Sequence, residues 1–245
     1  DKGSYSFGAG YYLDQAVIPT QDFTRYSLNG SVDQSVGKYI RIGFTTNTNY
    51  SMNQGNQVDM YAVLSKSPLV NPYNEDGTFK KLIDMPSDSK QSVITRETIE
   101  ALGELWVNES QNLATYNNAF AEIKIPGVEG LSYRVNLGMN YRSSKAGSFT
   151  GKGVNNSDPN YPNSASLQHT ETLNWVVENL VTYDRTFAEK HKVNVVGMYS
   201  AEENKYTSSH MSGRDIPADY FQYYNIGQAA GEITVNPNYQ GYNMS

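Results

Sequence analysis

The chain of 245 residues contains no cysteine. Disulfides and thiolate-bound metals therefore contribute nothing to its stability or chemistry. Basic clusters are also missing, because the 19 Lys and Arg residues are scattered and the formal net charge is −6. This distribution gives no surface for binding nucleic acid. No stretch approaches the ~20 consecutive apolar residues of a membrane-spanning helix.

Catalytic motifs are absent as well. The sequence has no Gly-x-Ser-x-Gly nucleophile elbow and no P-loop. Its histidines, His169, His191 and His210, lie on different predicted elements without metal-ligand spacing. Glu202 and Glu203 would face opposite sides of a strand, which argues against acid–base cooperation. We therefore predict a protein that is not an enzyme and that has no cofactor and no metal site.

The chain is rich in tyrosine and in segments where apolar and polar residues alternate strictly. It carries 20 Tyr, against 8 Phe and 2 Trp. Residues 131–142 alternate apolar and polar side chains throughout, with Tyr133 and Tyr141 on the apolar face. Twelve residues of period two form a strand longer than the usual 5–6 and long enough to cross a bilayer at a tilt, which takes about 9–11. Tyrosine suits the aromatic girdles of such a strand.

The same alternation predicts further strands, about seven in all. They fall near residues 3–13, 25–33, 40–50, 114–125, 131–142, 168–187 and 193–199. We predict an all-β, antiparallel up-and-down meander that forms part of a large transmembrane β-barrel. A soluble β-sandwich that binds carbohydrate is the alternative, and an enzyme ranks last.

The predicted connections alternate between short and long. Tight turns close residues 33–39, 125–131 and 187–192, whereas polar loops fill 53–112, 143–167 and the tail after Asn204, and residues 14–22 form a shorter member of the long set. A meander places alternate connections on the same rim, so the tight turns would be periplasmic and the long loops extracellular. Within the first long loop, residues 95–107 predict a short helix with Ile99, Leu102 and Trp106 on one face. In the same loop, residues 74–77 predict a turn rather than a calcium loop.

Four segments in order resemble the SusC/RagA-type TonB-dependent outer-membrane transporters of Bacteroidetes. They comprise residues 10–34, the run Ser67-Pro-Leu-Val-Asn-Pro-Tyr-Asn-Glu-Asp-Gly-Thr78, residues 121–138, and residues 178–194. Family members are several times longer than this chain. The resemblance therefore implies an internal barrel segment, residues 1–245, without the plug and without the C-terminal strands. The first residue, Asp1, follows no signal-peptide pattern, so we expect a mature chain or an internal piece of a larger one.

The resemblance also implies the function and partners of the parent protein. It would be an active importer of oligosaccharides or other large nutrients in the outer membrane of a Gram-negative cell. Its partners would be a SusD-like surface lipoprotein, TonB acting through the plug, an oligosaccharide or peptide substrate, and outer-membrane lipid.

Candidate site residues come from two sets. Arg25, Arg41, Arg134 and Arg142 project from the polar faces and would line the barrel interior, or else the solvated face of a soluble sheet. Aromatic residues in the long loops could stack on substrate or pack the loops against each other. The substrate-binding candidates are Tyr73, Trp106, Tyr161 and Tyr223, the last within an aromatic cluster at residues 220–224.

Overall fold

Eight β-strands make up most of the computed structural model, which describes residues 3–56, 71–80, 96–154 and 158–244. The strands are β1 (Gly3–Gln15), β2 (Asp22–Val36), β3 (Ile40–Gln54), β4 (Trp106–Lys124), β5 (Leu131–Thr150), β6 (Ser164–Phe187), β7 (His191–Arg214) and β8 (Ile233–Met244). One α-helix, α1 (Arg96–Leu102), precedes β4, and single 3-10 turns cover Gly103–Leu105, Asp219–Phe221 and Ile226–Gln228. No helix among these residues is long and apolar enough to cross a membrane.

The strands form one antiparallel sheet in sequence order, each paired with the next. This is the predicted up-and-down meander. A β-sandwich would need a second sheet to cover the apolar face. The described residues form a single sheet, and its apolar face stays open.

Strand pairing aligns the apolar positions of neighbouring strands on one side, which we call the outer face. Leu137, for example, pairs with Ala119 on β4 and Val177 on β6. The predicted face assignments of all seven strands agree with this register. Many large outer-face side chains are exposed, and Tyr5 is 88% exposed. A continuous exposed apolar surface of this kind marks a contact site for lipid or for another protein.

The apolar band slants across the sheet. The residues paired with Tyr5 from strand to strand lead across the sheet to Ala201 on β7. The apolar run of β7, however, begins eight residues before Ala201, at Val193. The residues paired with Tyr11 lead in the same way to Thr207 on β7. Thr207 lies eight residues beyond Tyr199, the last aromatic residue of the apolar run of β7. A shift of this size over six strand steps, at ~3.3 Å per residue and ~4.8 Å per strand, corresponds to a strand tilt of about 40°. Outer-membrane barrels have this tilt.

The tight turns lie together on one rim, as predicted. Residues 37–39, 125–130 and 188–190 close the β2–β3, β4–β5 and β6–β7 hairpins. In the second turn Gly130 has φ +85°, and a Cβ there would meet the backbone oxygen of Asp184 at 2.2 Å. Only glycine fits this approach.

The strands extend further toward the long-loop rim than the sequence predicted. β4 begins at Trp106, β5 continues to Thr150 and β6 begins at Ser164, so the predicted loops 53–112 and 143–167 are too long. The prediction of a loop-like chain after Asn204 is also wrong, because β7 continues to Arg214 and β8 makes an eighth strand. In the extensions of β4, β5 and β7, polar side chains occur on both faces and interrupt the apolar alternation. Ladder pairing with neighbouring strands holds them instead.

The helix in the structure is shorter than the predicted helix at residues 95–107. It ends at Leu102, one 3-10 turn follows, and Trp106 starts β4 rather than sharing a helical face with Ile99 and Leu102. Ile99 and Leu102 are buried. Thr95, where the predicted helix begins, lies outside the described residues. The predicted turn at residues 74–77 is present, with Gly77 N–H donating to the Asn74 carbonyl oxygen at 3.1 Å.

A small hydrophobic core lies beyond the apolar band, on the outer side of the strand extensions. Phe149 is fully buried there with Ala165 and three residues of the β7–β8 connection, Ile216, Tyr223 and Ile226. Asn163 fastens this connection. Its side-chain oxygen accepts from the N–H of Ile216 at 2.6 Å, and its amide donates to the carbonyl of Ile216 at 3.0 Å. The β7–β8 connection is therefore an ordered cap on the sheet.

Candidate functional site: the inner face of the sheet

The polar side chains that alternate with the apolar band form the opposite side of the sheet, which we call the inner face. Arg25, Arg41, Arg134 and Arg142 lie on this face, since the register places them opposite other inner-face residues. In a closed barrel this face lines the interior.

Each of the four arginines has a partner on a neighbouring strand. Arg41 makes a bidentate contact with the Asp33 carboxylate, at 2.8 and 2.7 Å. The guanidinium of Arg134 lies 4.1 Å from the ring centre of Phe120 and 3.7 Å from a carboxylate oxygen of Glu122.

The other two arginines sit over tyrosine rings. Arg25 lies 5.5 Å from the ring centre of Tyr12, and Arg142 lies 5.3 Å from that of Tyr116. Among the described residues neither has a carboxylate partner. Of the four arginines, Arg25 and Arg142 are therefore the more available to bind an anionic group at the inner face.

Amides dominate one row of the inner face. The row runs Gly8, Asn29, Asn47, Tyr116, Asn140, Asn174, Asn204, Tyr242 across all eight strands. We call its five asparagines the asparagine row. Each amide can both donate and accept hydrogen bonds without carrying charge.

The asparagine row climbs relative to the apolar band. Asn29 lies within the apolar run of β2, between Leu28 and Gly30, whereas Asn204 lies five residues past Tyr199, where the band of β7 ends. The row therefore rises from within the apolar band toward the long-loop rim as it crosses the sheet.

The four aromatic candidates occupy separate elements. Tyr73 lies in the described segment 71–80, where its ring contacts Phe79 at 5.1 Å between centres. Trp106 is the half-buried first residue of β4, and its carbonyl accepts from the Asn56 side chain at 2.6 Å. Tyr161 lies in the β5–β6 connection and is exposed.

Tyr223 is covered by the core of the cap. It is 3% exposed, and a Cβ at Gly147 would lie 2.5 Å from its ring, so the ring rests directly on β5. This position favours the packing alternative for Tyr223. Its neighbours Tyr220 and Tyr224 are the exposed rings of the same segment.

One acid in the long-loop segments has a shifted titration. Asp76 accepts hydrogen bonds from the hydroxyl and the backbone N–H of Thr78, at 2.6 and 2.9 Å. These bonds hold the pKa of Asp76 below its usual range. They stabilise the turn beside Tyr73.

Sequence reasoning missed the aromatic partners of the arginines and the asparagine row. Tyr12, Tyr116 and Phe120 fall on the polar phase of their strands, which was a usable signal. The asparagine row could not be found in the same way, because a row depends on the register between strands rather than on one strand.

Comparisons with known proteins find relatives that match most of the chain. No family model matches the chain. TonB-dependent receptor P39 of Formosa agariphila is 24% identical over 226 residues, covering 92% of this chain and 21% of that protein. TonB-dependent receptor P3 of the same organism is 20% identical over 257 residues, covering 97% of this chain and 24% of that protein. The chain thus spans about a fifth to a quarter of the curated relatives it matches.

Solved structures show the same fold. The structure of the RagAB peptide transporter matches with a TM-score of 0.72 at 16% identity, over 99% of this chain and 27% of that one. The RagAB peptide importer in its "open-open" state matches with a TM-score of 0.69. The resemblance to a segment of a SusC/RagA-type TonB-dependent transporter is therefore confirmed, as is the all-β barrel-type fold. The similar proteins are receptors and transporters, in line with the prediction that the chain is not an enzyme.

Proposed function

We propose that this chain is a wall segment of an outer-membrane TonB-dependent importer of large nutrients. The observation that carries the proposal is the slanted apolar band, which gives eight meandering strands a lipid-facing side at the tilt of a transmembrane barrel. The relatives, named as TonB-dependent receptors, support it.

The orientation follows from the rims. Outer-membrane barrels have short periplasmic turns and longer extracellular loops. The tight-turn rim would then be periplasmic, and the extensions of β4 to β7 with the cap of residues 215–232 would stand above the outer surface. A SusD-like lipoprotein would sit on this rim, and TonB would act through a plug elsewhere in the parent protein. Oligosaccharide or peptide would pass along the inner face.

The test uses the full-length gene. Cells that express it are fractionated, and the protein is expected in the outer membrane with heat-modifiable gel mobility. Disruption of the gene should abolish growth on the cognate nutrient while growth on simple sugars is unchanged. Recovery in the soluble periplasm alone would overturn the proposal.

A further inference from the structure

A groove of about 230 Å³ opens on the inner face around Gly138. Its lining includes Asn118, Asn140, Asn174, Asn204 and Tyr242, so it contains the upper end of the asparagine row. We propose that this groove binds one neutral sugar unit of an oligosaccharide. The inference rests on the proposed function and assigns a site to it.

The groove exists because Gly138 has no side chain. A Cβ at this position would lie 2.9 Å from Cγ1 of Val176 and 3.5 Å from the side-chain oxygen of Asn118. Any larger residue would therefore fill the floor between β4 and β6. The volume lies below the ~300–1,000 Å³ that holds a drug-sized ligand, which suits one unit of a longer chain.

Unused hydrogen-bonding capacity points to a polar ligand. Asn204 donates to the side-chain oxygen of Asn174 at 2.5 Å, which fixes these two amides on one wall. Across from them, the exposed side chains of Asn118 and Asn140 make no hydrogen bond to any described residue. Each offers two N–H donors and one carbonyl acceptor.

The charges and the ring select a sugar over an ionic ligand. The described residues that line the groove include no Lys, Arg or His, so none of them can neutralise a carboxylate or a phosphate. Of the two acids that line the groove, Glu202 lies on the inner face and can accept from hydroxyl groups, whereas Glu203 belongs to the opposite face by strand alternation. Tyr242 is 55% exposed at the edge and offers an aromatic surface to the C–H side of a sugar ring.

The position of the groove suits a ligand that enters from outside. Asn204 lies past the end of the apolar band of β7, on the long-loop side. Asn29 and Asn47 continue the same row downward, so a chain held at the groove would meet further amides of the same chemistry.

The test uses the detergent-solubilised full-length protein and three variants. Asn140→Ala removes one free amide, and Gly138→Val fills the floor. Gly8→Val is the matched control, because Gly8 is on the row of Asn140 and has no atom within 4 Å of its ideal Cβ. Heat-modifiable mobility confirms that each variant is assembled.

Calorimetric titration at millimolar concentration compares neutral hexasaccharides of α-glucan, β-mannan and β-xylan with an uncharged Ser-Gly hexapeptide. We expect at least one hexasaccharide to bind the unmodified protein. Its affinity should fall about three- to tenfold in Asn140→Ala, the worth of one or two neutral hydrogen bonds. It should fall more than tenfold in Gly138→Val and stay unchanged in Gly8→Val.

Three results would overturn the sugar site. The first is that the unmodified protein binds no hexasaccharide, and the second is that both groove variants bind the sugar as tightly as the unmodified protein does. The third is that the groove substitutions weaken binding of the hexapeptide and not of the sugar. None of them affects the proposed import function, which is judged separately by location and growth. A protein absent from the outer membrane would defeat that function whatever the titration shows.

Discussion

Leu137 and Asn136 are neighbours in β5 but lie on opposite faces of the sheet. Leu137 lies near the middle of the apolar run of its strand, between Ala119 and Val177, and is 46% exposed. Replacing it with Arg should cost about 2–4 kcal/mol of folding free energy in a bilayer, because the charge would sit near the midplane. Denaturant titration of the full-length protein refolded in lipid vesicles measures this cost.

Asn136→Arg is the control for that measurement. Asn136 lies on the inner face, where its amide donates to the Glu178 carboxylate at 3.1 Å. An arginine there keeps an acidic partner, so we expect a much smaller loss. Equal losses for the two variants would contradict the assignment of faces.

Asn163 is the residue on which the cap depends. Replacement with Ala removes the hydrogen bonds to both backbone groups of Ile216, which is buried. Leaving a buried polar group unpaired costs about 1–3 kcal/mol. Hydrogen exchange in residues 215–232 should become faster in Asn163→Ala while the strands keep their protection. Asn160→Ala, which changes an exposed neighbour, should leave hydrogen exchange in residues 215–232 unchanged. If both variants exchange at the same rate, the side chain of Asn163 does not hold the cap in place.

At the scale of elements, the sequence predicts strands best where they cross the apolar band. Residues 131–142 were identified from alternation alone, and the outer face of β5 is as expected. The ends of β5 and β7 are not predicted, because polar residues on both of their faces interrupt the apolar–polar alternation. Pairing with a neighbour stabilises them, and pairing is not visible in one strand.

On the inner face, too, features carried by one strand are predictable from the sequence, and features that need several strands are not. The four arginines are predictable because each occupies a polar position of a single alternating strand. The groove at Gly138 was not, since it needs three strands in register and a glycine beside Val176. Among the aromatic candidates, Tyr73, Trp106 and Tyr161 remain predictions, whereas the burial of Tyr223 depends on a cap that the sequence did not reveal.

The β5–β6 connection should be dispensable for assembly. Deletion of residues 152–162 removes the exposed Tyr161 and the buried Val154 but retains Gly151, whose N–H donates to the Leu105 carbonyl oxygen, and Asn163. The strand ladder does not depend on this tip, and loop tips tolerate deletion. In the full-length protein we expect normal heat-modifiable mobility with reduced nutrient uptake or reduced capture of the surface lipoprotein.

A deletion of residues 188–190 serves as the comparison. It removes the whole tight turn between β6 and β7 on the opposite rim, so it should impair assembly rather than uptake by an assembled protein. The role of the long loops would be refuted by a set of long-loop deletions that leaves uptake and lipoprotein capture intact.

At the scale of the whole molecule, the sheet is two-faced and open. β1 and β8 are edge strands in the described sheet, and the outer face exposes tyrosine, phenylalanine and branched aliphatic side chains from every strand but β4. Unpaired edges and large apolar patches both promote association in water. A barrel removes the edges by closure and gives the patch to lipid.

The isolated 245-residue segment should therefore aggregate without detergent. Eight strands fall far short of the ~22 strands of plugged outer-membrane transporters, so the sheet cannot close at that diameter. Light scattering of the refolded segment should show large, polydisperse particles that shrink when detergent covers the outer face. The full-length protein, handled identically in detergent, should give one discrete species. A monodisperse monomer of the segment in plain buffer would mean that something other than lipid covers the outer face, and the membrane assignment would lose its physical basis.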